Sequence, residues 1–207
     1  MGGGKIKLLQ SSIIPGMSQE PGLVHSYISI DVETAGPTPG QYALLSIGAC
    51  TLVEPRRTFY IELKPDKPGS LPEALAISRL SMEKLAADGV EPEIAMQQFA
   101  DWVSSCIPEG HQPLFVAFNA PFDWMFVNDY FRRYLGYNPF GHAALDIKSY
   151  FMGLDGVAWS QTSMRNVSQR YLQGQPLSHQ ALQDAIDQAV IFQKMLAEAT
   201  QHGSPVK

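Results

Sequence analysis

The pattern of apolar and polar positions alternates first. Over residues 27–33, Ile28, Ile30 and Val32 fall on one face, and Ser29, Asp31 and Glu33 on the other. That is the period of a strand covered on one side. A loop rich in Gly and Pro, 36–40, leads to a second apolar run at 43–53, and Glu54-Pro55 turns it into a third at 58–63. Three strands with short connections predict an antiparallel meander. The period then becomes helical over 81–87 and 91–106, with Pro92 at an N-terminal position. Leu114 to Phe118 is a short apolar run of the kind found in buried parallel strands. Pro121 opens a helix over 122–134, closed near Gly136. A short strand at 143–145 leads into a helix at 146–152, and helices over 162–172 and 181–199 complete the chain. This order predicts an α/β fold whose mixed sheet, an antiparallel β1-β2-β3 unit plus parallel strands, is flanked by helices.

The ends read differently. Residues 1–22 form a flexible N-terminal tail by pattern, broken by Gly2-Gly3-Gly4, Ser11-Ser12, Pro15-Gly16 and Pro21-Gly22. One ordered domain is expected over 23–200, with 201–207 a C-terminal tail. The 207 residues are 45% hydrophobic, enough for one buried core and too apolar for global disorder. No apolar stretch reaches the ~20 residues of a membrane helix, and the N-terminus lacks the apolar region of a secretory signal. Two cysteines, Cys50 and Cys106, make no disulfide framework, so a reducing cytoplasm is the expected setting.

Net charge is -5, from 15 basic and 20 acidic residues. A nonspecific nucleic-acid binder is usually basic, but bound divalent ions can supply the missing positive charge. Where the carboxylates lie therefore matters more than their number. Asp31-x-Glu33 puts two on one face of the first strand at its C-terminal end, where open α/β sheets place their sites. Chance alone gives about 0.5 such pairs, so this pair is weak by itself. Asn119-x-x-x-Asp123 sits where an apolar strand meets a helix, and its plain alternative is a helix cap. His179 and Asp184 are five apart, off any common helix face, so joint action requires His179 in the loop before the last helix. Asp184 shares its face with Gln188 and Ile191 beside the core stripe, an awkward place for a solvated charge. All three together are expected by chance only about 0.02 times, and each falls at an element end able to face one cleft.

The residue types fit phosphodiester hydrolysis. That reaction needs a nucleophilic hydroxide, charge relief on the phosphoryl oxygens and a stabilised leaving oxygen. Two hard cations about 3.5–4 Å apart meet all three needs, and Mg²⁺ or Mn²⁺ prefers carboxylate oxygen. Without metal, four clustered carboxylates would repel one another. A neutral histidine is the natural acceptor for the water proton. His25, His111, His142 and His202 show no zinc-ligand spacing.

Three segments carry a family resemblance: residues 30–36 (Ile-Asp-Val-Glu-Thr-Ala-Gly), 118–123 (Phe-Asn-Ala-Pro-Phe-Asp) and 179–185 (His-Gln-Ala-Leu-Gln-Asp-Ala). They resemble the three exonuclease motifs of the DEDDh superfamily. The resemblance spans about 25–199 and implies a ribonuclease-H-like fold and two-metal 3′→5′ exonucleolysis of single-stranded DNA or RNA, releasing nucleoside 5′-monophosphates. By that likeness Asp31, Glu33 and Asp184 bind a first Mg²⁺ or Mn²⁺, and Asp31 bridges to a second. Asp123 acts mainly through waters, and His179 is the base. Asn119 braces the site, and the backbone near Thr34 meets the terminal sugar. Relatives are often dimeric, although no interface signal stands out in this sequence. Phe118 replaces a histidine common in relatives, and the 36–40 loop replaces a shorter turn that usually carries an apolar wedge.

Outside the motifs, residues 130–175 carry a net +3, from Arg132, Arg133, Lys148, Arg165 and Arg170 against Asp146 and Asp155. Arg165 is the substrate-phosphate candidate there, against the commoner reading of a solvated helix face. Trp159, outside any clear period, is the better base-stacking candidate among the aromatics, and Asp146 reads as a helix cap. A catalytically silent end-binding module or an accessory subunit on the same fold is the rival reading. The complete set of five motif residues speaks against it.

Overall fold

In a computed structural model, which describes residues 24–175 and 178–201, the chain forms a five-stranded sheet with helices on both faces. Alternation in the first strand, β1 (Val24–Thr34), has the expected outcome: Ile28, Ile30 and Val32 enter the main core. The opposite face is covered too, so β1 is a central strand. β2 (Leu44–Thr51) and β3 (Thr58–Glu62) follow as the antiparallel meander. β4 (His111–Ala117) and β5 (Ala144–Asp146) add parallel strands, giving the order β3-β2-β1-β4-β5.

Helix α1 (Pro72–Ser78) was not legible by period. α2 (Met82–Asp88) begins at Ser81, whose hydroxyl caps Lys84 N. α3 (Pro92–Cys106) and α4 (Ala120–Leu135) cover one face through Phe99, Phe126, Tyr130 and Phe131. α5 (Ile147–Asp155), a 3₁₀ turn (Trp159–Gln161), α6 (Met164–Tyr171) and α7 (Ala181–Gln201) follow. On the other face α5, α6 and α7 build a second core around Val116, Phe151, Tyr171 and Phe192. The mixed sheet with two covered faces is the architecture expected from the element order. The residues predicted as tails, 1–22 and 201–207, lie outside the described residues except Gln201, which ends α7. Among the described residues no helix is long and apolar enough to cross a membrane.

Two features position the site. β1 pairs with β4 only as far as Ser29, whereas its pairing with β2 continues to Thr34. The C-terminal end of β1 therefore lacks a neighbour on the β4 side, and a crevice opens there. Gly48 on β2, directly across from Asp31, lies against the start of α7. A Cβ at that position would stand 2.1 Å from the Ala181 carbonyl carbon, so only glycine lets α7 come this close to the sheet.

Candidate active site

The residues of β1 that alternate away from the main core, Asp31 and Glu33, meet Asp184 from the first turn of α7. Their nearest carboxylate oxygens all lie within 4.8 Å of one another. Asp123, in the first turn of α4, reaches the same strand end differently. Its Oδ1 accepts the Val32 amide at 3.0 Å, taking the place of the missing strand. The carboxylate thus serves a second element besides the first turn of its own helix. Asn119 does occupy the N-cap position, in a left-handed conformation, but its side chain makes no capping bond. The Ala120 amide is met instead by Asp146 Oδ2 at 2.9 Å, while Asp146 Oδ1 caps α5 through Ser149 N at 2.8 Å. Asp146 thus caps two helices, extending the sequence reading.

Asp184 is only 2% exposed. Its Oδ1 accepts the Ser178 amide and hydroxyl at 2.7 and 2.9 Å, and its Oδ2 accepts the His179 amide at 2.9 Å. The carboxylate therefore fixes the loop that carries His179, itself held at φ 56. His179 stands in the loop before α7, as joint action with Asp184 requires. Its side chain is exposed and borders a cleft of about 150 Å³, shared with Glu33, Ser46, Tyr60, Glu62 and Arg79.

Electrostatics mark the cluster as strained. Withdrawal from solvent, then the charges of Asp123, Glu33 and Asp184, push Asp31 well above the usual carboxylate range; a hydrogen bond from Gln188 opposes this. Desolvation, then Asp184, lifts Glu33 to about 7. Desolvation also carries Asp123 to about 8, against the lowering effect of its bond from Val32 N, with Glu33 and Asp146 adding to the rise. Like-charged carboxylates this close ionise together only when a cation offsets them. An all-oxygen donor set suits a hard divalent ion, so the residues fit the metal expected from the sequence.

Three contributors escaped sequence reading. Gln188, 1% exposed, donates to Asp31 Oδ1 at 2.7 Å and accepts from Phe118 N at 2.8 Å, tying α7 to β1 and β4. Its spacing of four from Asp184 was the available signal. Gly48 acts by lacking a side chain, and Arg79 enters from the end of α1. Of the expected substrate residues, Thr34 is buried, with its hydroxyl donating to Gly36 O at 2.9 Å. Arg165 is exposed on α6 and makes no ion pair among the described residues. Trp159 is 54% exposed and carries the Lys148 ammonium 4.2 Å from its ring centroid.

Comparison with known proteins agrees with this geometry. Residues 28–192 match the exonuclease family that includes ribonuclease T. The chain is similar to the 3′-5′ DNA exonuclease Cap18 of Escherichia coli, 46% identical over 166 residues that span 80% of this chain and 89% of that protein. Its fold resembles the nuclease domain of 3′hExo, a DEDDh family member bound to rAMP, with a TM-score of 0.72 at 16% identity over 90% of this chain and 96% of that one. It also resembles E. coli Exonuclease I in complex with a dT13 oligonucleotide, with a TM-score of 0.67 at 14% identity. That match covers 86% of this chain and 42% of Exonuclease I.

Proposed function

The chain belongs to the exonuclease family and is a 3′→5′ exonuclease, and from that premise we propose that it removes nucleoside 5′-monophosphates from the 3′ end of single-stranded DNA. The observation that carries this reading is the convergence of Asp31, Glu33 and Asp184 within 4.8 Å, with Asp123 at the same strand end. DNA is preferred to RNA because the 46% identical relative is named for DNA.

In this reading Asp31, Glu33 and Asp184, with Asp123 at the same strand end, would hold the two Mg²⁺ or Mn²⁺ ions. When bound, such ions would supply charge relief on the phosphoryl and leaving oxygens and lower the pKa of the attacking water. The chain's own residues do the rest. His179 accepts the proton of the attacking water, a task for which its exposed position beside Glu33 leaves room. Gln188 orients Asp31, and Asp184 sets the His179 loop through three hydrogen bonds. The backbone at Thr34 receives the terminal sugar, and Asn119, at the N-cap of α4, braces the site. Upstream, Arg165 meets a substrate phosphate. The free cysteines Cys50 and Cys106 accord with action in the cytoplasm.

The test is incubation of the pure protein with 5′-labelled single strands of DNA and of RNA, with Mg²⁺, Mn²⁺ or EDTA. A ladder shortened from the 3′ end, dependent on metal and faster for DNA, is expected. A circular single strand should persist, and its internal cleavage would contradict the reading.

A further inference from the structure

We propose that Arg79 is a positioning residue that holds the 3′-terminal nucleotide, the one about to be released, in the cleft beside Glu33 and His179. This deepens the exonuclease reading and rests on it. The starting observation is a backbone anomaly. Arg79 ends α1 with φ 58 and ψ 21, and its amide closes the helix on Leu75 O at 2.8 Å. That cap requires a left-handed residue, but it does not require arginine. Glycine takes this conformation without penalty, whereas a residue with a Cβ is disfavoured there. Non-glycine residues held in this region cluster at functional sites, and two of the others here, Asn119 and His179, belong to the motif segments.

The surroundings define the use. Arg79 borders the same cleft as Glu33, Tyr60, Glu62 and His179, yet makes no ion pair with either glutamate or any other described residue. Tyr60 is turned to Glu62 instead, its hydroxyl donating to Glu62 Oε1 at 2.8 Å. Arg79 is therefore a cationic residue without an ion-pair partner among the described residues, on the border of an otherwise acidic cleft.

Its mounting is firm. The start of α1 is bonded to the chain just after the β1 carboxylates, Leu71 N donating to Ala35 O at 2.8 Å. Ala35, Leu45 and Leu85 form a small core with Leu75 and Leu80. The backbone that carries Arg79 is thus anchored to the segment just after Glu33.

The reaction's polarity says what enters this cleft. A phosphodiester attacked over Asp31, Glu33 and Asp184 has the continuing strand on one side and a single nucleotide on the other. The space bounded by Glu33, His179 and the end of α1 closes against β3 at about 150 Å³, room for part of one nucleotide and not for a continuing strand. A guanidinium offers such a ligand donors for base or sugar acceptors and a flat surface for the base.

Three variants test this: Arg79→Ala, Arg79→Gly and Arg79→Lys. Glycine separates binding from folding, because it relieves the backbone while deleting the guanidinium. Arg79→Gly should unfold at the wild-type temperature or above, yet show KM for a single strand raised about tenfold, the scale of one charge-assisted contact. The inhibition constant of added deoxynucleoside 5′-monophosphate should rise by a similar factor, with kcat changing much less. Arg79→Lys should recover part of both. Unchanged KM and unchanged product inhibition in Arg79→Gly and Arg79→Ala, in a protein whose wild type degrades the strand, would overturn the assignment and leave the exonuclease reading intact. A wild type that degrades no strand would overturn both.

Discussion

Two groups of carboxylates in this fold sit in opposite settings. Asp66, in the loop between β3 and α1, accepts the hydroxyls of Tyr130 and Tyr134 and pairs with Arg133 and Lys67. Burial would raise its pKa, but these donors outweigh burial and bring it down to about 2. At the end of β1, donors are few and the neighbours are other carboxylates, so Asp31, Glu33 and Asp123 all move upward. Both groups are removed from water, and the difference is whether positive partners come with them. The Asp66 group is complete and ties a loop to α4, while Tyr130 Oη also accepts the Leu44 amide at 2.8 Å. The β1 group is incomplete as protein alone. Its repulsion is the state a divalent ion relieves.

That contrast can be broken most severely at β1. Asp31→Asn, Glu33→Gln, Asp123→Asn and Asp184→Asn should each abolish measurable turnover in a strand-degradation assay. Asp31→Asn should also raise the unfolding temperature of metal-free protein, since a repelling charge is gone. Asp66→Asn should do the opposite, lowering the unfolding temperature by the equivalent of about 1–3 kcal/mol as hydroxyl and guanidinium donors lose their acceptor, with turnover kept. A shared sign for the two substitutions would erase the distinction.

Next in size is His179→Ala, expected to reduce kcat roughly 10²–10⁴-fold with metal binding retained. Loss of metal affinity as deep as that of Asp184→Asn would recast His179 as a ligand.

The pH dependence of stability sharpens the same comparison. Groups whose folded pKa is raised keep protons that the unfolded chain has already released. Their contribution is whole below about pH 4 and is lost as pH climbs through about 7 for Glu33 and 8 for Asp123. Asp66 contributes above its ordinary value of 3.8, and that contribution is lost as pH falls through about 2. Calorimetry in EDTA should therefore show stability declining from pH 5 to 8, and saturating Mn²⁺ should remove the decline. A smaller effect is expected for Arg165→Ala, which should raise KM and flatten its salt dependence with kcat nearly kept.

Most elements and all four carboxylates were legible in the sequence because their signals are local. Ile28, Ile30 and Val32 announce β1 by alternation, and Ser81, Pro92 and Pro121 announce helix starts. α1 escaped because seven residues, Pro72–Ser78, are too few to display a period. The early part of β4 escaped because Gln112-Pro113 reads as a break. Proline is tolerated there because β5 pairs only from Phe115 onward, leaving Pro113 without a strand on that side. What joins the site is nonlocal. Gln188 meets Asp31 across 157 positions, and the need for glycine at 48 exists only once α7 is packed on β2. Asp184 looked too apolar in its surroundings for a solvated charge, and the structure supplies the reason: it carries the His179 loop.

The most direct test is calorimetric titration of metal-free protein with Mn²⁺ near pH 7, in buffers of different ionisation heat. Two ions should bind with release of protons, because Glu33 and Asp123 are pushed up to about 7 and 8 and must give up their protons to serve as ligands. Binding should collapse in Asp31→Asn. Mn²⁺ binding that releases no protons, or that survives Asp31→Asn unchanged, would show that the β1 carboxylates are not gathered to hold metal.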